Sequence, residues 1–212
     1  MNFSLPADQV APLLLGCVLH HRTAAGEVAV RLTEVEAYLG KDDPAAHSYR
    51  GPTPRTEPMF GPGGRMYVYL SYGIHLAGNL TCGPVGTGHA VLLRAGSVEV
   101  GAELARRRRL AGRSPGGRRD AAARFGRRGC ASGPGNLGKA MGFSLVDNHA
   151  EVHGADRADQ PGAFWLTGAG PAGTVERGPR VGITKNAEAP LRFWLAGEPT
   201  VSRGPAARVR GG

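Results

Sequence analysis

The sequence is poor in cysteine, has no long apolar run and carries no surplus charge outside one segment, and each shortage removes a class of protein. Cys17, Cys82 and Cys130 are isolated and odd in number. They support neither a disulfide framework nor a paired-cysteine zinc site, and they favour a reducing compartment. No leader peptide is visible. The longest apolar run, Val10 to Leu19, is interrupted by Pro12 and Gly16 and is too short to span a bilayer. The histidines, His20, His21, His47, His75, His89, His149 and His153, form no HExxH or similar pattern, so no metal is expected. Internal repeats and an interdomain linker are also missing. At 212 residues, the simplest organisation is one domain over residues 1–212 with a core of its own.

What the chain does contain is loop-forming residues and one block of positive charge. With 34 glycines and 16 prolines, many connections and few long helices are expected. The formal charge is +9. Residues 104–128, LARRRRLAGRSPGGRRDAAARFGRR, hold ten of the 26 basic residues and one of the 17 acidic ones, Asp120, leaving 16 of each elsewhere. This insert reads both as a solvated, flexible loop and as a footprint for a polyanion such as nucleic acid, and the two readings are compatible.

Pro6–Asp8 carries a helix-start signal for a short buried helix. A hairpin around Ala24–Gly26 leads into TEVEAYL, where Glu34, Glu36 and Tyr38 share one face and Val35, Ala37 and Leu39 the other. With the apolar face inward, the carboxylates are expected to face a groove or water. Residues 40–64, with five prolines, read as a surface loop. RMYVYLSYGIHLAGNLTC reads as a strand pair. A three-residue loop, Tyr72–Ile74, pairs Ser71 with His75. Tyr67, Tyr69, His75, Asn79 and Thr81 then share a polar face, and Met66, Val68, Leu70, Leu76 and Leu80 an apolar one. Tyr72 is left at the tip. HAVLLRAG (with Arg94 near its end), AFWLTG, RVGIT and PLRFWLAG read as further strands, and GNLGKAMGF as a helix start. The fold class is α+β: a single domain with a curved antiparallel sheet core, surrounding helices and a protruding hairpin.

Three constellations could carry chemistry. Glu34 and Glu36 could form a glycosidase-like pair, but glycosidase carboxylates flank the scissile bond from opposite sides, which neighbours on one strand do poorly. GPGNLGKA matches the GxxxxGK spacing, yet Ala140 stands where a P-loop needs a hydroxyl, so nucleotide hydrolysis is not expected. Gly133, Gly135 and Lys139, at a helix N-terminus, could still hold a DNA phosphate. Tyr67, Tyr69 and Tyr72 could simply pack, but an aromatic at a hairpin tip buries nothing there and is a candidate wedge.

Taken together, EVEAYLG, AAHS, TPR, MF, YVYLSYG, Asn79, VLLRA, SGPGNLGKAMG, RVGI and PLRFW, in that order, resemble the alkyladenine (3-methyladenine) DNA glycosylase family of mammalian type, also found in bacteria. The resemblance implies a monofunctional enzyme without metal or cofactor. Such an enzyme flips alkylated or deaminated purines, such as 3-methyladenine or hypoxanthine, from double-stranded DNA and hydrolyses the N-glycosidic bond. It implies that Glu36 is the general base for the attacking water, with Arg94 helping to hold that water and a nearby phosphate and the Val181 carbonyl a further water ligand. Tyr38, His47 and Tyr69 would enclose the base, Asn79 would screen against the guanine amino group, and Tyr72 would fill the gap in the stack. Arg106, Arg107, Arg108 and Arg109 join Gly133, Gly135 and Lys139 as expected phosphate contacts. A cytoplasmic or nucleoid-associated monomer, without membrane contact, is expected. The departure IHLAG after Tyr72–Gly73 is smaller than the versions many members carry, so a different pocket floor and lesion preference are expected. The competing class is a non-catalytic nucleic-acid-binding module on the same fold.

Overall fold

The computed structural model describes residues 1–111, 125, 129–171 and 173–204. Helix α1 (Ala7–Leu14) starts where Pro6 signals it and buries Ala7, Val10, Ala11 and Leu14. Strands β1 (Val18–Thr23) and β2 (Gly26–Leu39) form the expected hairpin, Thr23 pairing with Gly26. The next hairpin, β3 (Met66–Ser71) and β4 (His75–Cys82), has the expected register, Ser71 opposite His75 and Tyr67 opposite Asn79. Then come β5 (His89–Val100), α2 (Ala102–Leu110), α3 (Pro134–Met141), β6 (Val152–His153), β7 (Phe164–Thr167), β8 (Val175–Gly178) and β9 (Arg192–Leu195).

The described strands form one sheet in the order β3-β4-β5-β2-β1-β7-β6, with β9 also on β2 and β8 on β9. All pairings are antiparallel except β6–β7, which is parallel. The fold is the expected α+β arrangement with a mixed, curled sheet. β2 organises it by changing partner midway. Its first half, Gly26–Arg31, pairs with β1, whereas Glu34–Glu36 pair with β9, and β5 runs along its other edge. The β2–β5 register shifts on both sides of Glu34, so Arg94 is an extra residue between Leu93, opposite Val35, and Ala95, opposite Glu34. Such a bulge re-aims a side chain. It lies where a charged residue is needed.

The core contains Leu14, Leu19, Leu32, Val35, Met66, Leu80, Leu93, Leu137, Met141 and Phe164. α3 lies on β4 at very short range, because a Cβ at Gly138 would stand 2.1 Å from the Leu76 carbonyl oxygen.

Two expectations are corrected. RVGIT is not a strand: Arg180 to Thr184 form a loop after β8, because the Arg180 side chain donates to the Ala37 carbonyl and the Val181 N–H donates to the Glu36 carboxylate instead of to a neighbouring strand. The start of the arginine-rich insert is helical rather than a loop. In α2, Arg108 donates to the Met141 carbonyl at 2.8 Å and to Thr23 Oγ1 at 2.6 Å, and Arg109 donates to the Cys130 carbonyl at 2.8 Å. These bonds tie α2 to the end of α3 and to the β1–β2 turn. Residues 112–124 and 126–128 of the insert lie outside the described residues. Among the described residues no helix is long and apolar enough to cross a membrane.

Candidate active site

A cavity of about 340 Å³ opens between the β3–β4 hairpin, the 45–59 loop, β2, β5 and the 181–183 loop. That is the lower end of the usual range for small-molecule pockets, roughly 300–1,000 Å³. Tyr38, His47, Tyr69, Asn79, Arg94 and Val181, which the resemblance groups in one site, all line it, and so does Tyr72. Glu36 stands behind this wall, fully buried on β2.

Glu36 is gripped from three elements. Its Oε1 accepts the Val181 N–H at 2.7 Å and lies 3.2 Å from Arg94 Nη1, and its Oε2 accepts the Tyr38 hydroxyl at 2.9 Å. Burial nevertheless dominates and raises its pKa above the ordinary carboxylate value; Arg94, Val181 and Tyr38 oppose the shift, while Glu34 adds repulsion. The carboxylates were expected to face a groove or water, and neither does: Glu34 and Glu36 are both fully buried. Their face of β2 is covered by the Arg192 side chain from β9, the 180–183 loop and the segment at 200–202, so alternation chose the shared face but not its exposure.

Glu34 is the better-partnered of the two. Its Oε1 accepts Arg94 Nε at 2.8 Å, Arg192 Nε at 2.7 Å and the Ser202 hydroxyl at 2.8 Å, and its Oε2 accepts the Ser202 N–H at 2.6 Å. Burial alone would raise its pKa, but Arg94, Ser202 and Arg192 more than offset that and hold it below the ordinary value.

The aromatic wall is ordered by its own contacts. Tyr67 and Tyr69 stack with centroids 5.5 Å apart, and His47 meets Tyr69 edge-on at 4.5 Å. His47 Nδ1 lies 3.1 Å from the Tyr67 hydroxyl. Burial, aided by the charge of Arg55, lowers the His47 pKa to about 4, so the ring is neutral at pH 7. Asn79 Nδ2 donates to the Tyr67 carbonyl at 3.0 Å, which fixes the amide on the wall. Tyr38 is backed by the Arg180 guanidinium, 4.5 Å from its ring centroid. Arg180 is itself clamped by both oxygens of Asp43.

At the mouth, Tyr72 is 85% exposed with φ +49°, and Gly73 follows at φ +68°. Two consecutive left-handed residues make a tight reversal that pushes the ring outward. The Tyr72 hydroxyl lies 3.5 Å from the Gly182 carbonyl across the opening. Leu70 and Ile74 are exposed beside it, so the apolar face of the hairpin is buried at its base but not at its tip.

The expected phosphate ligands are dispersed. Gly133 caps α3, whose first residue, Pro134, reaches the cavity rim, and Gly135 packs against His75. Lys139 donates to the Ala111 carbonyl at 2.8 Å. Arg106 pairs with Glu103 at 3.7 Å, and Arg107 is exposed. Sequence reasoning singled out neither Arg180, Asp43 nor Ser202. Arg180 and Asp43 were signalled only by adjacency, to Val181 and within the acidic turn after Leu39, and Ser202 by nothing.

The family model for methylpurine-DNA glycosylase (MPG) matches residues 1–199. A Corynebacterium efficiens protein named "Putative 3-methyladenine DNA glycosylase" is 53% identical over 202 residues, covering 95% of this chain and 94% of its own. Proteins of the same name from Cutibacterium acnes and Frankia casuarinae are 45% and 47% identical, covering 95% and 94% of this chain and 97% and 89% of theirs. With the match running through the strand that carries Glu36, the hairpin that carries Tyr72 and the loop that carries Val181, the chain belongs to the methylpurine-DNA glycosylase family.

Proposed function

We propose that this protein is a 3-methyladenine DNA glycosylase, acting as a monomer and a single domain on double-stranded DNA. It turns alkylated or deaminated purines such as 3-methyladenine and hypoxanthine out of the helix and hydrolyses their N-glycosidic bond. The observation that carries this reading is a buried carboxylate, Glu36, set behind a small aromatic cavity whose mouth bears an exposed tyrosine.

The chemistry follows from that placement. A flipped purine enters between Tyr38, His47 and Tyr69, where three rings supply stacking to replace what the helix lost. Neutral His47 adds no charge to repel a cationic lesion. A water held against Glu36 gives its proton to the carboxylate as its oxygen bonds to C1′, while the C1′–N9 bond breaks and its electron pair leaves with the base. A raised Glu36 pKa makes the carboxylate a better proton acceptor, and its negative charge supports the cationic sugar-like transition state. Arg94 holds the carboxylate in place. Among the described residues no lysine lines the cavity, and the reaction is read as that of a monofunctional hydrolase. Asn79 lies where it could screen the purine's exocyclic group. Tyr72 occupies the vacated stack. Arg106 and Arg107, with Gly133 and Gly135 and whatever Lys139, Arg108 and Arg109 contribute beyond their internal bonds, supply phosphate affinity. The work is done in the cytoplasm, at the nucleoid if the cell is bacterial.

A pure nucleic-acid binder would gain nothing from a buried carboxylate beside phosphates. Duplexes each carrying one lesion, incubated with the protein and cleaved with alkali at abasic sites, test the reading. Strand breaks at 3-methyladenine or hypoxanthine are expected from the wild type, and intact strands with every lesion would refute it.

A further inference from the structure

Behind Glu36 lies a residue beyond the stretch matched by the family model, which ends at residue 199. Ser202 makes four hydrogen bonds into the buried charge cluster. Its N–H donates to Glu34 Oε2 at 2.6 Å, and its hydroxyl donates to Glu34 Oε1 at 2.8 Å. The same hydroxyl accepts from Arg94 Nη2 at 3.2 Å, and its carbonyl accepts from Arg192 Nη2 at 2.9 Å. One O–H can donate once and accept at its lone pairs, so the two hydroxyl contacts are mutually consistent. The approach is anchored by Thr200, whose hydroxyl lies 2.8 Å from that of Thr33, and continues to Gly204, where a Cβ would stand 2.2 Å from Arg192 Nη1.

Arg94 is therefore held at three points. Nε is on Glu34, Nη2 is on Ser202, and the remaining Nη1 forms an ion pair with Glu36 Oε1, 3.2 Å away. A guanidinium is planar, so fixing two of its nitrogens fixes the direction of the third. Arg94 needs such fixing because it is the extra residue of a β-bulge, where the strand pairing alone does not hold it.

We propose that Ser202 is a positioning residue for the glycosylase reaction: by clasping Glu34 and Arg94 from behind, it aims the Arg94 guanidinium at Glu36, so that the segment 200–204 is part of the catalytic apparatus. This rests on the glycosylase reading above. Ser202 is not among the residues that line the cavity, so it is expected to act on the rate and not on binding of the base. Preorganisation of this kind is lost when supporting hydrogen bonds are removed, even where all first-contact groups remain.

The test compares wild type, Ser202→Ala, which removes the hydroxyl and keeps the backbone bonds, and Ser202→Thr, which restores a hydroxyl. Single-turnover excision from a hypoxanthine duplex should be about tenfold slower in Ser202→Ala, the size expected for a charge-assisted hydrogen bond. Duplex affinity should be unchanged and Ser202→Thr should recover most of the rate. Side-chain NMR of Arg94 in the free protein gives a readout independent of any reaction: its Nη protons should be slow to exchange in wild type and Ser202→Thr, and fast in Ser202→Ala. An Ala variant that excises at the wild-type rate, or a slow one whose Arg94 signals are unchanged, overturns the proposal. If the wild type excises no lesion, the glycosylase reading fails, and the Arg94 signals alone then decide whether Ser202 holds this side chain.

Discussion

Glu34 and Glu36 stand two residues apart on one strand face, both fully buried, yet their surroundings push them in opposite directions. Around Glu34 two guanidiniums, a backbone N–H and a hydroxyl converge. Around Glu36 there is one guanidinium, one backbone N–H and a phenol. The surplus of donors makes Glu34 a fixed anion, and their shortage leaves Glu36 ready to take a proton. Burial by itself therefore says little about the role of a carboxylate, and the number and charge of its donors say a great deal.

The largest effect is expected where the shortage lies. Glu36→Gln should reduce single-turnover excision by about three orders of magnitude, within the range for loss of a general base, while lesion-duplex affinity is retained. In the wild type the acid limb of the pH–rate profile should lie above the ordinary glutamate value, because burial favours protonated Glu36. An acid limb at or below that value would mean that the donors outweigh burial at both sites and the contrast disappears.

Next comes the hairpin tip, whose exposed ring contrasts with the buried Tyr67 and half-buried Tyr69 of the same hairpin. Tyr72→Ala should lower the flipped fraction, read by a fluorescent base analogue, by roughly one to two orders of magnitude in paired duplex, since unstacking costs a few kcal/mol. The loss should shrink opposite a mismatch, where there is less stacking to replace. An unchanged flipped fraction in paired duplex would make the tip structural.

Stability should separate the two glutamates by sign. Glu34→Gln leaves Arg94 and Arg192 short of their counter-charge and should cost about 3 kcal/mol in urea unfolding at pH 7. Glu34 has a lowered folded pKa, so its stabilisation is present above the unfolded value, about 4.3, and is lost as pH falls through the lower folded value. Glu36 has a raised folded pKa, so its favourable term is present below about 4.3 and is lost as pH rises through the folded value. Glu36→Gln should accordingly raise the urea midpoint at pH 7. Midpoints that move in the same direction for both variants would break the comparison.

The smallest effect concerns the arginines of α2. Arg107→Ala should reduce the salt slope of duplex binding by about one with no change in unfolding, as one phosphate contact is lost. Arg108→Ala, which removes bonds to Ala140, Met141 and Thr23, should instead destabilise the fold by about 1–2 kcal/mol. Identical behaviour of the two variants would show that α2 presents a single basic face.

Much of this was legible in the amino-acid order. The hairpin register followed from requiring one apolar face, since a one-residue slip would have mixed Met66, Val68 and Leu80 with the tyrosines. The shared face of Glu34, Glu36 and Tyr38 followed from strand alternation, and the helix starts from Pro6 and from GNLGKAMGF, whose helix begins one residue earlier, at Pro134. These are local consequences of backbone geometry, and local geometry is written in neighbouring residues. What covers a face, and which donors reach a carboxylate, is not local. Arg192 and Ser202 arrive at Glu34 from 158 and 168 residues away, and Val181 arrives at Glu36 from 145. The sequence by itself therefore determined the elements, the tyrosine at the tip and the family motifs. Only the tertiary structure decided that both carboxylates are buried and that one is saturated with donors while the other is left short of them, because a pKa depends on every charge and dipole brought near it, not on the residue's own neighbours in the chain.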